Sequence, residues 1–148
     1  MPFQFPLQAI LHLRQSVEHQ QELRLRTANQ QVSAMHHLID VIEQRIRQLE
    51  NVSHAAITTG MSASELHFNF VLKSTLEIRR QEAERELFRL ENLRDQQQRI
   101  FRQARRERET FEALRDQQLN KYRQAAARRE QRQADDLFLL RQAYRQRS

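Results

Sequence analysis

The 148-residue sequence contains no cysteine, no tryptophan, one glycine and two prolines. Without cysteine, the chain has no disulfide, no cysteine-ligated metal site and no thiol nucleophile. Glycine and proline form most tight turns, yet the only glycine is Gly60 and both prolines fall within the first six residues. β-Sandwiches, barrels, Rossmann-type sheets and glycine-rich phosphate loops need more turn residues than this. The composition therefore predicts long helices joined by few turns.

Signals for membrane insertion and for catalysis are also missing. No segment approaches 18 consecutive apolar residues, and the opening stretch lacks the basic start and small-residue cleavage site of a signal peptide. We therefore expect a cytoplasmic protein. The six histidines contain no His-Glu-x-x-His motif and no pair four residues apart, so we expect no metal site. A two-helix fold offers no enclosed pocket in which a carboxylate could be activated, so we also expect no cofactor and no enzyme activity.

The positive charge is concentrated in the last third of the chain. The whole chain carries a net charge of +6, with 25 basic and 19 acidic residues. Residues 1–60 are neutral and residues 61–98 are close to neutral, so the excess lies in residues 99–148. Nearly all the basic residues are arginine, whose planar guanidinium suits carboxylates and phosphates. This part of the chain is predicted to meet an anionic surface.

The first half of the sequence has the heptad pattern of a coiled coil. Its apolar residues alternate in steps of three and four, which indicates a helix packed against one partner. The uninterrupted series is Leu25, Ala28, Val32, Met35, Ile39, Ile42, Ile46 and Leu49. Towards the start of the chain, the apolar stripe continues less strictly because Arg14, Glu18 and Gln21 interrupt it.

A stop signal and a start signal follow one another at Gly60. Gly60 can adopt a positive φ without strain and is suited to end the first helix. Ser62 and Glu65 have the spacing of a capping box, which predicts the start of a second helix. That helix has a weaker predicted seam, formed by Leu76, Ala83, Leu90, Leu93, Gln97, Ile100, Ala104, Phe111, Leu114 and Gln118.

These signals predict an all-α fold, a long antiparallel two-helix coiled-coil hairpin with one turn near Gly60 and an overhanging C-terminal helix. The first helix is expected at about 6–58, the turn at about 58–62 and the second helix at about 63–146, in a single coiled-coil domain covering 1–148. A short turn between long helices makes them antiparallel. The first helix then runs out of partner residues near Tyr122, which leaves the rest of the second helix unpaired.

Three sequence features are candidates for partner binding. An apolar stretch after the turn contains Phe68, Leu72 and Leu76; it could fold back over the hairpin tip or receive a partner. The basic run 99–132 could be a solvated helix face, bind nucleic-acid or lipid phosphates, or bind an acidic protein surface. Interleaved carboxylates and few aromatic residues favour the acidic protein.

The third feature is the apolar tail segment around residues 137–144. Leu137, Leu140 and Tyr144 share one helical face and have no predicted partner in the first helix. Such a stripe is typical of a docking element. It could instead pack on the end that carries Phe3 and Phe5, or pair in a homodimer.

Three segments of the sequence, in order, resemble the FliJ family of the flagellar type III export apparatus. The opening segment is Phe3-x-Phe5-Pro6-Leu7-x-x-Ile10-Leu11-x-Leu13-Arg14-x-x-x-Glu18. The central segment is Gly60-Met61-Ser62-Ala63-Ser64-Glu65-Leu66, followed by Phe68, Leu72 and Leu76. The last segment contains Glu112-x-Leu114-Arg115, Tyr122, Glu130 and Asp135-Asp136.

The resemblance implies a non-enzymatic stalk, similar to the central stalk of rotary ATPases. It implies that the end with both termini enters the hexameric export ATPase ring, and that the stalk contacts the cytoplasmic region of the export gate and export chaperones. It also implies a peripheral position at the cytoplasmic face of the inner membrane. The implied gate-binding residues are Leu72, Leu76 and Phe68. The candidate ring-binding residues are Phe3, Phe5, Leu7, Arg128, Arg129, Arg132, Leu137, Leu140 and Tyr144.

Two alternatives remain open at the level of the sequence. One is a basic coiled-coil scaffold or nucleic-acid-binding protein, although no specific nucleic-acid site is predicted. The other is an injectisome stalk, because the related secretion systems share this architecture.

Overall fold

The computed structural model describes residues 2–147 and consists of two helices joined by one short turn. The first helix, α1, spans Gln8–Thr59, and the second helix, α2, spans Ala63–Arg147. The described residues contain no β-strand. The two helices pack against each other as a helical hairpin, which confirms the predicted fold class. No helix in this range is long and apolar enough to cross a membrane.

The turn has the predicted capping chemistry. Gly60 has a φ of 80°, and its N–H donates to the carbonyl oxygen of Ala56 at 2.9 Å, the pattern of a helix that ends in a left-handed glycine. Ser62 then accepts a hydrogen bond from the Glu65 N–H at its Oγ, at 3.2 Å, and so caps the first turn of α2. The glycine that ends α1 and the serine side chain that caps α2 therefore reverse the chain within three residues.

The chain divides into two compact units, and both helices contribute to each. The terminal unit comprises Met1–His19 and Gln103–Ser148, and the turn unit comprises Gln20–Arg102. The prediction of a single domain over 1–148 stays a prediction.

The turn unit has an aliphatic core in which every buried residue is apolar. Its central cluster contains Ile39, Ile42, Ile46 and Ala83, with Met35, Leu76 and Leu87 packed against it. The side chains of α1 in this cluster belong to the heptad series predicted from the sequence, and the series continues in the buried Val32 and Leu49. Burial of branched aliphatic side chains on one seam is the main stabilising contribution here.

The terminal unit is built differently. Its buried apolar residues are Phe5, Leu11 and Ala104, of which Leu11 is fully buried. Phe3 packs on Tyr122 with 5.5 Å between ring centroids. The seam of α1 does not break at Arg14 and Glu18, as the sequence pattern suggested, because both side chains occupy seam positions and pair with residues of α2. The seam therefore stays in register by exchanging apolar packing for ion pairs.

The predicted seam of α2 is partly wrong. Leu93, Ile100 and Leu114 were expected in the seam, but they are 45%, 49% and 36% exposed. The half-buried positions are each one residue further along, at Arg94, Phe101 and Arg115. Long side chains such as arginine can bury their aliphatic part in a seam while the guanidinium reaches solvent. The apolar residue beside each arginine consequently lies on the flank of the seam.

Candidate partner-binding surfaces

The apolar stretch after the turn presents most of its side chains to solvent. Phe68 is 66% exposed and Phe70 is 67% exposed, so neither ring folds back over the turn. Leu72 and Leu76 are half-buried, and Leu76 packs against the aliphatic cluster of the turn unit. Phe68 and Leu72 lie one helical turn apart and form one accessible apolar strip, which Leu76 joins to the core.

Phe70 belongs to a separate groove on the same unit. The groove is lined by Glu50, Ser53, His54, Ile57, Leu66, Asn69, Phe70 and Lys73. At one end, Lys73 Nζ lies 3.1 Å from Glu50 Oε1 and 4.0 Å from Glu77 Oε1. Sequence reasoning missed this groove, because it depends on which side of α2 faces Ile57 of α1.

The apolar residues near the start of the chain are largely used for internal packing. Phe5 is only 7% exposed, while Phe3 and Leu7 are half-buried. Phe3 is engaged by the Tyr122 ring of α2. These three side chains therefore stabilise the terminal unit, and any partner meets them at their edges.

The last part of α2 is an exposed overhang. Every residue in the range 127–147 is exposed, as the predicted overhang requires. The heptad seam explains where pairing ends, because its next positions after Tyr122 and Ala125 are Arg129, Arg132 and Asp136. Charged side chains at consecutive seam positions give a partner helix nothing apolar to bury.

The overhang nevertheless carries an apolar stripe on another face. Leu137, Leu140 and Tyr144 are 56%, 66% and 78% exposed and lie at positions i, i+3 and i+7. Residues at this spacing share one face of a helix. Phe138 and Leu139 are equally exposed but point away from that face. Among the described residues of the terminal unit, these three side chains form an exposed apolar stripe.

Arg128, Arg129 and Arg132 precede this stripe and are exposed. Arg129 donates to the carbonyl oxygen of Ala125 in its own helix at 3.4 Å. The three arginines and the apolar stripe therefore lie on the same exposed overhang. Phe3, Phe5 and Leu7 are not part of this exposed set, because Phe3 packs on Tyr122, Phe5 is buried and Leu7 is half-buried.

The terminal unit contains ion pairs between α1 and α2. Arg14 Nη1 donates to Glu107 Oε2 at 2.7 Å, and Arg14 also lies 6.0 Å above the Phe111 ring. Arg108 donates to both carboxylate oxygens of Glu18 and, at 2.6 Å, to Glu112. The hydrogen bond that Arg108 donates to Glu18 is the main reason that the pKa of Arg108 is raised. Arg108 is therefore a permanent cation held between two carboxylates.

The described residues contain no group of histidines and carboxylates placed to hold a metal ion. What this structure offers to partners is two sets of exposed side chains, one after the turn and one on the overhang.

A comparison with protein families finds one that covers nearly the whole chain. The family model described as "Flagellar FliJ protein" matches residues 3–148. No curated protein and no solved structure matches the chain.

Proposed function

Because the chain belongs to the flagellar FliJ protein family, we propose that it is the stalk component of the flagellar type III export apparatus. The family is a non-catalytic component of flagellar export, so the membership gives this chain an export-related role. The finer assignment is that the chain docks in the export ATPase ring, contacts the export gate and couples the two. It acts at the cytoplasmic face of the inner membrane, without catalysing a reaction itself.

One observation carries this proposal: the overhang of α2 is helical and exposed, and it carries an apolar stripe. A hairpin that needed only to fold would gain nothing from 21 further exposed residues at 127–147. A helix with an apolar stripe and neighbouring cations has the chemistry of a segment that inserts into a protein groove with an acidic rim. We assign the overhang to the ATPase ring on this basis.

The strip formed by Phe68, Leu72 and Leu76 is assigned to the cytoplasmic region of the gate. Support comes from the 66% exposure of Phe68, which gives a partner an aromatic anchor. Export chaperones are further expected partners, and no surface of the chain is assigned to them.

Binding to the ring is tested by pull-down of the export ATPase hexamer with the full chain and with the overhang variant Leu140→Asp. We expect Leu140→Asp to lose most of the binding, since it places a charge in the middle of the apolar stripe. Phe138→Asp is the matched control: Phe138 is 65% exposed against 66% for Leu140, but it lies on a different face. Equal binding by both variants, or full binding after deletion of residues 133–148, would contradict the assignment.

Binding to the gate is tested in the same way with two phenylalanines of equal exposure. Phe68→Ser is expected to weaken binding to the cytoplasmic region of the gate protein about tenfold or more, because a buried aromatic anchor contributes at least about 1.4 kcal/mol. Phe70→Ser, on the side of the groove, is expected to bind as the parent does. A loss confined to Phe70→Ser would move the gate site to the groove.

The basic charge of the last third also fits a nucleic-acid-binding protein, and a gel-shift titration separates the two functions. The stalk function predicts no binding of duplex DNA at submicromolar concentration. Salt-sensitive submicromolar DNA binding, together with no binding of the ATPase, would favour the alternative.

A further inference from the structure

Charged residues occupy the helix–helix seam of the terminal unit where a coiled coil normally has apolar side chains. Glu18 of α1 and Arg108 of α2 face each other with side-chain exposures of only 18% and 20%. Arg108 Nη2 lies 3.2 Å from Glu18 Oε1, and the Nε of Arg108 donates to the other carboxylate oxygen. This is the fork-to-fork geometry of a bidentate arginine–carboxylate pair, which is strict about direction and distance.

A second pair is built beside the first. Arg14 Nη1 donates to Glu107 Oε2 at 2.7 Å, with both side chains 37% exposed. The Gln103 amide also donates to Glu107, at 3.3 Å, and Arg14 lies over Phe111. Along α1, the basic Arg14 precedes the acidic Glu18. On α2, their partners are adjacent: the acidic Glu107 is followed by the basic Arg108.

Partly buried ion pairs add little net stability compared with apolar residues of similar size, because desolvation offsets much of the attraction. Their documented use in coiled coils is to select one register and one partner. We propose that Glu18 and Arg108, supported by Arg14 and Glu107, are the residues that specify how α1 pairs with α2.

The two pairs permit only one register. A slip of one heptad in one direction places Arg108 opposite Leu11, which is fully buried, and leaves a guanidinium in an apolar environment. A slip in the other direction offers Arg115 to Glu18 but moves Leu114 to the place of Glu107 and leaves Arg14 without its carboxylate. Each slip leaves at least one seam charge without its partner on the facing helix.

The same residues disfavour pairing between two copies of the same helix. The half-buried seam positions of α2 include Arg80, Arg94, Arg108 and Arg115, which recur at multiples of seven residues. In a parallel pair of two α2 helices each arginine would face its own copy, and in a pair of two α1 helices Glu18 would face Glu18. Like charges at facing seam positions are a form of selection against the wrong partner. In the pairing of α1 with α2, by contrast, Arg108 faces the carboxylate of Glu18 on the other helix.

The test measures register separately from stability. Because the chain has no cysteine, two spin labels can be attached at Ser16→Cys and Thr110→Cys, two exposed positions of the terminal unit. The parent is expected to give one narrow distance distribution. The variant Glu18→Leu with Arg108→Leu is expected to melt at the same or a higher temperature. It is also expected to show additional distances, since a one-heptad slip displaces the labels by about 10 Å along the helix.

A merely structural role for the pair predicts the opposite result for both measurements, namely a lower melting temperature with one unchanged distance. That outcome would overturn the proposal. The control is Arg105→Gln, which breaks an exposed ion pair of α2 but keeps Glu109 beside Arg108, and it should change neither measurement.

A charge reversal gives a second, independent test. Arg108→Glu alone places a carboxylate opposite Glu18, so we expect a broadened distance distribution and a lower melting temperature. Adding Glu18→Arg, together with Glu112→Gln to remove the second carboxylate beside position 108, restores an opposite-charge pair and should restore the single narrow distance. If the doubly reversed chain behaves like Arg108→Glu alone, the pair does not specify the register.

Discussion

The two units of this protein solve the same packing problem with different chemistry. In the turn unit, α1 supplies isoleucines at consecutive seam positions, and the buried residues are all apolar. In the terminal unit, the seam combines the fully buried Leu11 with the ion pairs of Arg14 and Glu18. The comparison teaches that aliphatic burial supplies stability that depends little on salt. The ionic seam instead supplies pairing specificity, which requires both members of each ion pair.

The largest expected effect concerns the aliphatic seam. Ile42 is 8% exposed inside the central cluster, so Ile42→Asp should destabilise the fold by about 3 kcal/mol or more, since it removes apolar burial and introduces a desolvated charge. Gln44→Asp, two residues away and exposed, should change the stability by less than about 0.5 kcal/mol. Thermal melting followed by circular dichroism measures both, and equal effects would show that the seam does not carry the stability.

The next effect concerns the ionic seam. Arg108→Ala leaves Glu18 partly buried without its guanidinium, and we expect a loss of about 1–2 kcal/mol, less than for a fully buried pair because both groups retain some solvent contact. The loss should shrink at about 1 M salt, where charges are screened. Chemical denaturation at low and high salt measures this, and a loss that salt leaves unchanged would assign the contribution of Arg108 to packing alone.

A smaller effect is expected at the turn. An added Cβ at Gly60 would touch nothing within 4 Å, so space does not require glycine there. The backbone conformation does favour glycine, because at a φ of 80° another residue is destabilised by about 1 kcal/mol. Gly60→Ala should therefore lower the unfolding free energy by about 1 kcal/mol in urea denaturation. No change would mean that the turn adopts another conformation at no cost.

The smallest effect is expected on the overhang. Deletion of residues 133–148 removes only exposed helix from the described part of the chain and should leave the main melting temperature unchanged. A clear decrease would reveal that these residues pack on the rest of the terminal unit, and the contrast between exposed overhang and buried seam would fail.

The fold was predictable because its signals are local. The regular apolar steps of α1, the sole glycine and the Ser62–Glu65 cap each specify structure within a few residues, and the structure contains all three. The seam of α2 was less predictable, because apolar and charged residues stand side by side there. Leu93 and Arg94 compete for one seam position, and the hydrophobic pattern alone favours the wrong one. Only the partner helix decides between them.

The candidate surfaces also differ in how far the sequence predicts them. The exposure of Leu137, Leu140 and Tyr144 followed from counting where α1 runs out of residues. The engagement of Phe3 by Tyr122, the groove beside Phe70 and the pairing of Glu18 with Arg108 depend on contacts between residues more than 10 positions apart. No periodicity within one helix encodes such contacts, so the sequence pattern could not supply them.

The exposure of the overhang has a spectroscopic consequence. A helical segment of about 20 residues in water is only marginally stable when no tertiary packing supports it, because most helical stability in proteins comes from such packing. On warming, this segment should lose ellipticity gradually, well before the cooperative transition of the paired helices. The pre-transition baseline of the melting curve should therefore slope steeply, and that slope should flatten when a binding partner orders the segment.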